Sequence, residues 1–193
     1  MEKETVNMTQ IKVFRFNPEK DERPSYTTYK VPLEGTVLDA LRYIYEEQDA
    51  SLSFRFGCSG PTFERCGACA VKVNGEPALS CKKILEEQMT VEPHHKFVIL
   101  KDLAVDFDRE NAQTGEWGTP TTEIVVDPDK CTACRDCVLI CPVKVLDIKK
   151  IDGKGRAVVT DSGSCCGRTC AQCITFCPNG AIRLQIRGEV SEK

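Results

Sequence analysis

The sequence predicts an α+β chain in two parts. A small sheet curled over one helix comes first, and a pseudo-symmetric pair of short units follows, both organised around clustered thiols. Three observations predict this. The 13 cysteines of the 193-residue chain fall into three separated groups. The first part reads as hairpin, helix, hairpin. The second part repeats one short cysteine motif, and each copy closes on Cys-Pro.

Each element has a local reason. Ile11, Val13 and Phe14 to Phe16 predict a strand, Asn17-Pro18 and the charged run after it a turn, and Tyr26 to Val31 a second, antiparallel strand. Thr36 suits a helix N-cap with Asp39 at the third helical position, and Val37, Leu38, Leu41, Ile44 and Tyr45 then recur at helical spacing. Tyr43 and Tyr45 are expected to pack that helix. Residues 69–81 read as strand, Asn74-Gly75 turn and return strand. From Asp108 to Thr122 the chain has Gly115, Gly118, Pro120 and several threonines with little apolar periodicity. The predicted domains are therefore 1–107 and 123–193, joined by a linker over 108–122 in which Trp117 is expected to anchor against a domain or partner. In the second part Ile124-Val125-Val126 and Ala157-Val158-Val159 are short β-like runs flanking the motifs.

Composition argues for metal. Apolar residues make up 41% and aromatic residues 7%, a thin supply for two small cores, which commonly need staples. Met1 to Gln10 has no basic-then-apolar pattern of a signal peptide, and the best apolar run, Phe97 to Leu100, is far too short to cross a bilayer. The expectation is a cytoplasmic chain without a membrane span, reaching a membrane only through partner subunits. Paired cysteines in that compartment bind metal more often than they form disulfides. Residues 123–193 hold 11 Lys and Arg against 9 Asp and Glu, and the remainder 15 against 20. Neither half is basic enough for a nucleic-acid surface.

The second cysteine group, Cys131-x2-Cys134-x2-Cys137-x3-Cys141-Pro142, is the ligand run of a bacterial [4Fe–4S] ferredoxin. Two-residue gaps wrap the backbone around a cube. The three-residue gap puts Cys137 and Cys141 one helical turn apart, and Pro142 cannot continue that helix. The last cysteine of such a run serves the neighbouring cluster. Crossed ligation is therefore expected, with Cys131, Cys134, Cys137 and Cys177 on one cluster. Cys141, Cys170, Cys173 and one of Cys165 or Cys166 would hold the other. Zinc favours two separated pairs and fits this run poorly. The third group, Cys170-x2-Cys173-x3-Cys177-Pro178, is irregular at its start, because Gly167 stands where the first cysteine belongs. Spacing favours Cys166, whereas Asp161-x3-Cys165 matches Asp127-x3-Cys131, and one thiol of the two is spare. The first group, Cys58-x7-Cys66-x2-Cys69-x11-Cys81, puts three thiols on a glycine-rich loop and the fourth on a returning strand, which suits a [2Fe–2S] rhomb. One [2Fe–2S] and two [4Fe–4S] clusters are expected. His94 and His95 have no cysteine partner in a Rieske-like pattern and are expected in a surface turn, and Lys82 and Lys83 are expected to face solvent.

Residues 10–107 also resemble the N-terminal domain of the iron–sulfur subunit of succinate dehydrogenases and fumarate reductases. The resemblance runs through Phe14-Arg15-Phe16-Asn17-Pro18, Gly35-Thr36-Val37-Leu38-Asp39-Ala40-Leu41, Leu52-Ser53-Phe54-Arg55, Cys66-Gly67-Ala68-Cys69 and Val73-Asn74-Gly75. It ends near Val91-Glu92-Pro93 and Leu100-Lys101-Asp102-Leu103. It implies a β-grasp [2Fe–2S] ferredoxin domain with Cys58, Cys66, Cys69 and Cys81 as ligands. Seven residues, Ser59 to Arg65, separate the first two cysteines, where the family usually has four, so the cluster loop is longer. Residues 123–188 resemble a bacterial two-cluster ferredoxin in place of the family's helical domain. The combination implies an electron-transfer subunit of a multisubunit oxidoreductase. Its partner would be a fumarate-reductase-like flavoprotein, with a further electron donor or acceptor. The sequence has no dinucleotide fingerprint and no nucleophile–base pair, so no catalytic site of its own is expected. The alternatives are a free ferredoxin-type carrier, told apart by copurification, and a zinc-stabilised interaction module, told apart by colour.

Overall fold

The computed structural model describes residues 7–57, 67–110 and 122–187. Cys58, Cys66, Trp117 and most of the expected linker lie outside the described residues. The chain begins with β1 (Met8–Arg15) and β2 (Ser25–Pro32), antiparallel from Met8↔Pro32 to Arg15↔Ser25. Alternation along β1 turns Ile11 and Val13 inward, both fully buried. Helix α1 (Val37–Glu47) starts with the predicted capping box: the Asp39 amide donates to Thr36 Oγ1 (3.4 Å), and the Thr36 amide donates to the Asp39 carboxylate (2.8 Å). Such a cap contributes about 1 kcal/mol. Val37, Ala40, Leu41 and Ile44 form its buried face, with Tyr43 packed at the margin. Tyr45 departs from its expected role: it is 46% exposed and meets Phe54 edge-on.

The hairpin β3 (Ala70–Val73) and β4 (Glu76–Leu79) turns at Asn74-Gly75, both left-handed at φ 52° and 86°. Next come β5 (Met89–Pro93), β6 (Phe97–Lys101) and β7 (Ala104–Glu110). The main sheet has the order β2-β1-β5-β3-β4, with β5 parallel to β1, and β6 and β7 form a separate hairpin. The central strand β5 was not foreseen, because its pairing is wholly non-local. Asp102, 2% exposed, fastens the β6–β7 turn to the end of β1, accepting from Arg15 Nε (3.1 Å), the Phe16 amide (3.0 Å) and the Ser53 amide (3.0 Å).

The second part holds β8 (Thr122–Val126), α2 (Asp136–Ile140), β9 (Leu146–Ile151), β10 (Lys154–Val159), a 3₁₀ turn (Ser162–Ser164), α3 (Gly167–Cys170), α4 (Gln172–Thr175) and β11 (Ile182–Ile186). Strands pair across the repeat, β8 with β11 and β9 with β10. The copies match in detail. The Asp127 amide donates to the Ala181 carbonyl at 2.7 Å, and the Thr160 amide to the Val145 carbonyl at 2.9 Å. After each Cys-Pro the chain turns through a left-handed residue, Lys144 (φ 51°) and Gly180 (φ 57°).

One apolar core lies under the main sheet, and a second is shared by both parts: Cys69, Ala70, Leu79, Phe97 and Val105 pack with Ile124, Val143, Val145, Leu146 and Ala157. Polar ties cross the same seam. The Leu79 amide donates to Thr169 Oγ1 (3.0 Å), Lys96 Nζ to the Lys144 carbonyl (2.9 Å) and Lys144 Nζ to the Phe107 carbonyl (3.0 Å). The expectation of a surface turn is overturned for His94. It has no exposed surface and stacks on His95, which stands half-buried in the turn, with ring centroids 5.1 Å apart. Packing between parts distant in sequence buries His94. No helix among the described residues is long and apolar enough to cross a membrane.

Candidate metal centres

The first set of thiols in the second part is built by the Cys131–Cys137 loop and the return of Cys177. Ala133 (φ 58°) and Arg135 (φ 74°) are left-handed, which curls the loop and brings its cysteines to one side. Cys131, Cys134, Cys137 and Cys177 line one pocket, walled by Ile148, Ala157 and Ile182. Amides are aimed at the sulfurs: Ala157 N–H at Cys131 Sγ (3.3 Å) and Ala181 N–H at Cys177 Sγ (3.2 Å). Burial, then the neighbouring Cys134, Cys131 and Cys177, pushes the Cys137 thiol up.

A second pocket is lined by Cys141, Cys165, Cys166, Cys170 and Cys173, with Ile124, Val145 and Leu184 as apolar wall. Val145 N–H points at Cys141 Sγ (3.4 Å) and Gly167 N–H at Cys165 Sγ (3.3 Å). Burial and then the thiols of Cys165, Cys141 and Cys170 push Cys173 up to about 12, and burial pushes Cys165 up to about 11. Stripping the protons from such a crowded set requires a strongly positive group among the sulfurs. Gln172 lines this pocket too, and its buried side-chain amide nitrogen has no hydrogen-bond partner among the described residues. That donor suits inorganic sulfide. Cys141 thus leaves its own run for the far pocket, and Cys177 returns to the near one.

In the first part the β3–β4 hairpin brings Cys69 and Cys81 together at its open end, Ala70 pairing with Leu79 and the Ser80 amide donating to the Cys69 carbonyl (3.1 Å). Their sulfurs stand 3.3 Å apart, well beyond disulfide bonding. Cys58 and Cys66 lie outside the described residues. Gly67, next in the loop, has φ +79° and packs against Pro142, the residue that follows Cys141. The sequence did not reveal the groups that brace these sites. Thr169, Ser164, His94 and Gln172 carry no cysteine-like spacing; only Asp161, three residues before Ser164, hints at a capped turn.

Thiols gathered four and five to a pocket, apolar walls and amides aimed at sulfur fit iron–sulfur clusters, whose potentials such amides tune. The fold and sites define an iron–sulfur protein. The chain belongs to the 2Fe-2S iron-sulfur cluster binding domain family, whose model matches residues 10–112, and a 4Fe-4S binding domain model matches residues 123–146. An uncharacterized iron–sulfur protein of Methanocaldococcus jannaschii is 31% identical over 89% of this chain and 40% of its own length. A fumarate reductase (CoM/CoB) subunit of Methanothermobacter marburgensis is 29% identical over 96% of this chain and 43% of its own. The fumarate reductase iron-sulfur subunit of Haemophilus influenzae is 41% identical over 50% of this chain and 38% of its own. The chain thus spans about two fifths of the length of these relatives.

Proposed function

We propose that the chain is the electron-transfer subunit of a multisubunit oxidoreductase, carrying one [2Fe–2S] and two [4Fe–4S] clusters. Its partner is a fumarate-reductase-like flavoprotein that holds the catalytic site, with a further protein as electron donor or acceptor. The observation that carries this reading is the crossing of Cys141 and Cys177 between the two pockets, the ligand exchange of two-cluster ferredoxins. Cys131, Cys134, Cys137 and Cys177 hold one [4Fe–4S] cluster. Cys141, Cys170, Cys173 and one of Cys165 or Cys166 hold the other. Cys58, Cys66, Cys69 and Cys81 hold the [2Fe–2S] cluster.

We read the first part, 1–107, as a β-grasp ferredoxin domain and 123–193 as a pseudo-symmetric two-cluster domain, with 108–122 between them. The clusters, when bound, supply one-electron chemistry; the chain holds them close, aims amides at their sulfurs and keeps water out. A cytoplasmic complex, touching a membrane only through other subunits, suits this role. Anaerobic purification tests it. Brown protein with about ten irons per chain, copurifying with a large flavoprotein, is the expected result. Colourless zinc protein, or about four irons, would reject the cluster assignment, and a chain that binds no flavoprotein would be a free carrier.

A further inference from the structure

We propose that Cys165 is the fourth ligand of the second [4Fe–4S] cluster and that Cys166 is an unliganded thiol built into the wall between that cluster and the [2Fe–2S] site. The proposal rests on the two-cluster reading above and makes a choice that spacing leaves open.

Three observations carry it. First, Cys165 Sγ receives the Gly167 amide at 3.3 Å, the same kind of bond that Cys131, Cys141 and Cys177 receive from Ala157, Val145 and Ala181. Those three are ligands in the crossed scheme, and an amide aimed at sulfur suits a bound thiolate. Second, the approach to Cys165 copies the approach to Cys131. The Asp127 carboxylate accepts the amides of Asp129 (2.9 Å) and Lys130 (3.3 Å), and Asp161 accepts the Ser164 amide (3.2 Å) and hydroxyl (2.6 Å). Each aspartate caps a turn four residues ahead of its cysteine. The first part clamps the second of these turns: His94 Nε2 donates to the Ser164 carbonyl at 3.1 Å, and His95 Nε2 lies 3.1 Å from Ser164 Oγ.

Third, the two neighbouring residues differ in backbone and in partners. Cys165 is extended at φ −71°, ψ 126°, whereas Cys166 caps α3 at φ −74°, ψ 8°. The Thr169 hydroxyl donates to the Cys166 carbonyl at 2.6 Å and in turn accepts the Leu79 amide from β4 at 3.0 Å. That relay holds Cys166, 2% exposed, against the hairpin that ends in Cys69 and Cys81. The extra residues in the third cysteine group therefore form a step. They carry the chain from a ligand to a filler at the seam.

The experiment uses the full chain, assembled anaerobically with iron and sulfide, as wild type, Cys165→Ala, Cys165→Ser and Cys166→Ala. Iron per chain and low-temperature spin resonance, oxidised and reduced, are read on each. The [2Fe–2S] signal reports folded chain in every sample. Cys166→Ala is expected to keep about ten irons and the spectrum of two interacting [4Fe–4S] clusters. Both Cys165 variants should lose about one to four irons, showing a [3Fe–4S] signal or the loss of one cubane, with the [2Fe–2S] signal intact. Loss of a [4Fe–4S] cluster in Cys166→Ala, or its retention in both Cys165 variants, would overturn the assignment. Wild-type protein with fewer than two [4Fe–4S] clusters would instead overturn the two-cluster reading, before any variant is compared.

Discussion

Replacing Gly67 by alanine should wedge the two parts of the molecule apart between their metal centres. Gly67 sits at φ +79°, where an L side chain costs about 1–2 kcal/mol. An added Cβ would also overlap the Pro142 Cβ and stand 2.7 Å from its Cγ. Overpacking of that kind costs about 1–3 kcal/mol, so the total is about 2–5 kcal/mol. Gly75 separates the two contributions. It has φ +86° but nothing within 4 Å of the place a methyl group would take, so Gly75→Ala should show the backbone cost alone. Cluster loss makes unfolding irreversible, so rates are the proper measure. Bleaching of the [2Fe–2S] absorbance in mild denaturant with an iron chelator should be ~5- to ~150-fold faster for Gly67→Ala than for Gly75→Ala, since about 1.4 kcal/mol is tenfold. Adding Pro142→Gly to Gly67→Ala removes the Cβ that the new methyl group meets and should recover most of the difference. Equal rates in the two single variants, within twofold, would refute the reasoning.

Two further perturbations probe the scaffold. Asp102→Ala takes one acceptor from Arg15, which keeps Asp49, and leaves two part-buried amides without theirs, at a cost of about 1–3 kcal/mol; a denaturation midpoint close to wild type would contradict it. The seam should also weaken in acid. Burial, and then His95, lowers the His94 imidazole to about 3, and burial and then Lys72 lower His95 to about 4. Asp161 opposes these shifts, and Lys96 adds to them. Both groups titrate below their ordinary value of 6.5, so the unfolded chain binds protons first. The stability they lend is present above about pH 6.5 and falls as pH drops toward those values, by at most about 1.4 kcal/mol per pH unit for each ring. Unfolding half-lives between pH 7 and 5 should shorten less steeply in His94→Gln than in wild type, and parallel slopes would exclude the pair as the cause.

What the sequence revealed and what it withheld divides along range. The gathering of the second-part cysteines around two pockets was legible because spacing is a local constraint: a chain wrapping a cube needs two-residue gaps, and Pro142 and Pro178 mark where each run stops. The Thr36–Asp39 cap and the Asn74-Gly75 turn were legible for the same reason. Strand β5 was not, since its partners β1 and β3 are remote in sequence and its five residues give no distinctive pattern. His94 misled because the group it bonds, the Ser164 carbonyl, lies seventy residues away. At Cys165-Cys166 two local signals opposed each other, and only the bonds each residue makes in the fold could part them.

The shared core beneath the metal centres has a kinetic consequence. Phe97, Leu79 and Val105 from one part and Val143, Val145 and Leu146 from the other are a single packed interior, so the parts do not meet by diffusion. Electron passage between the β3–β4 hairpin and the ferredoxin-like pockets is therefore unimolecular. Its rate should be indifferent to protein concentration and nearly so to added salt, because no encounter between separate charged bodies precedes it for salt to screen. Only the exchange with an outside protein retains the salt dependence of an encounter, and that contrast locates the slow event outside the chain whenever turnover responds to ionic strength.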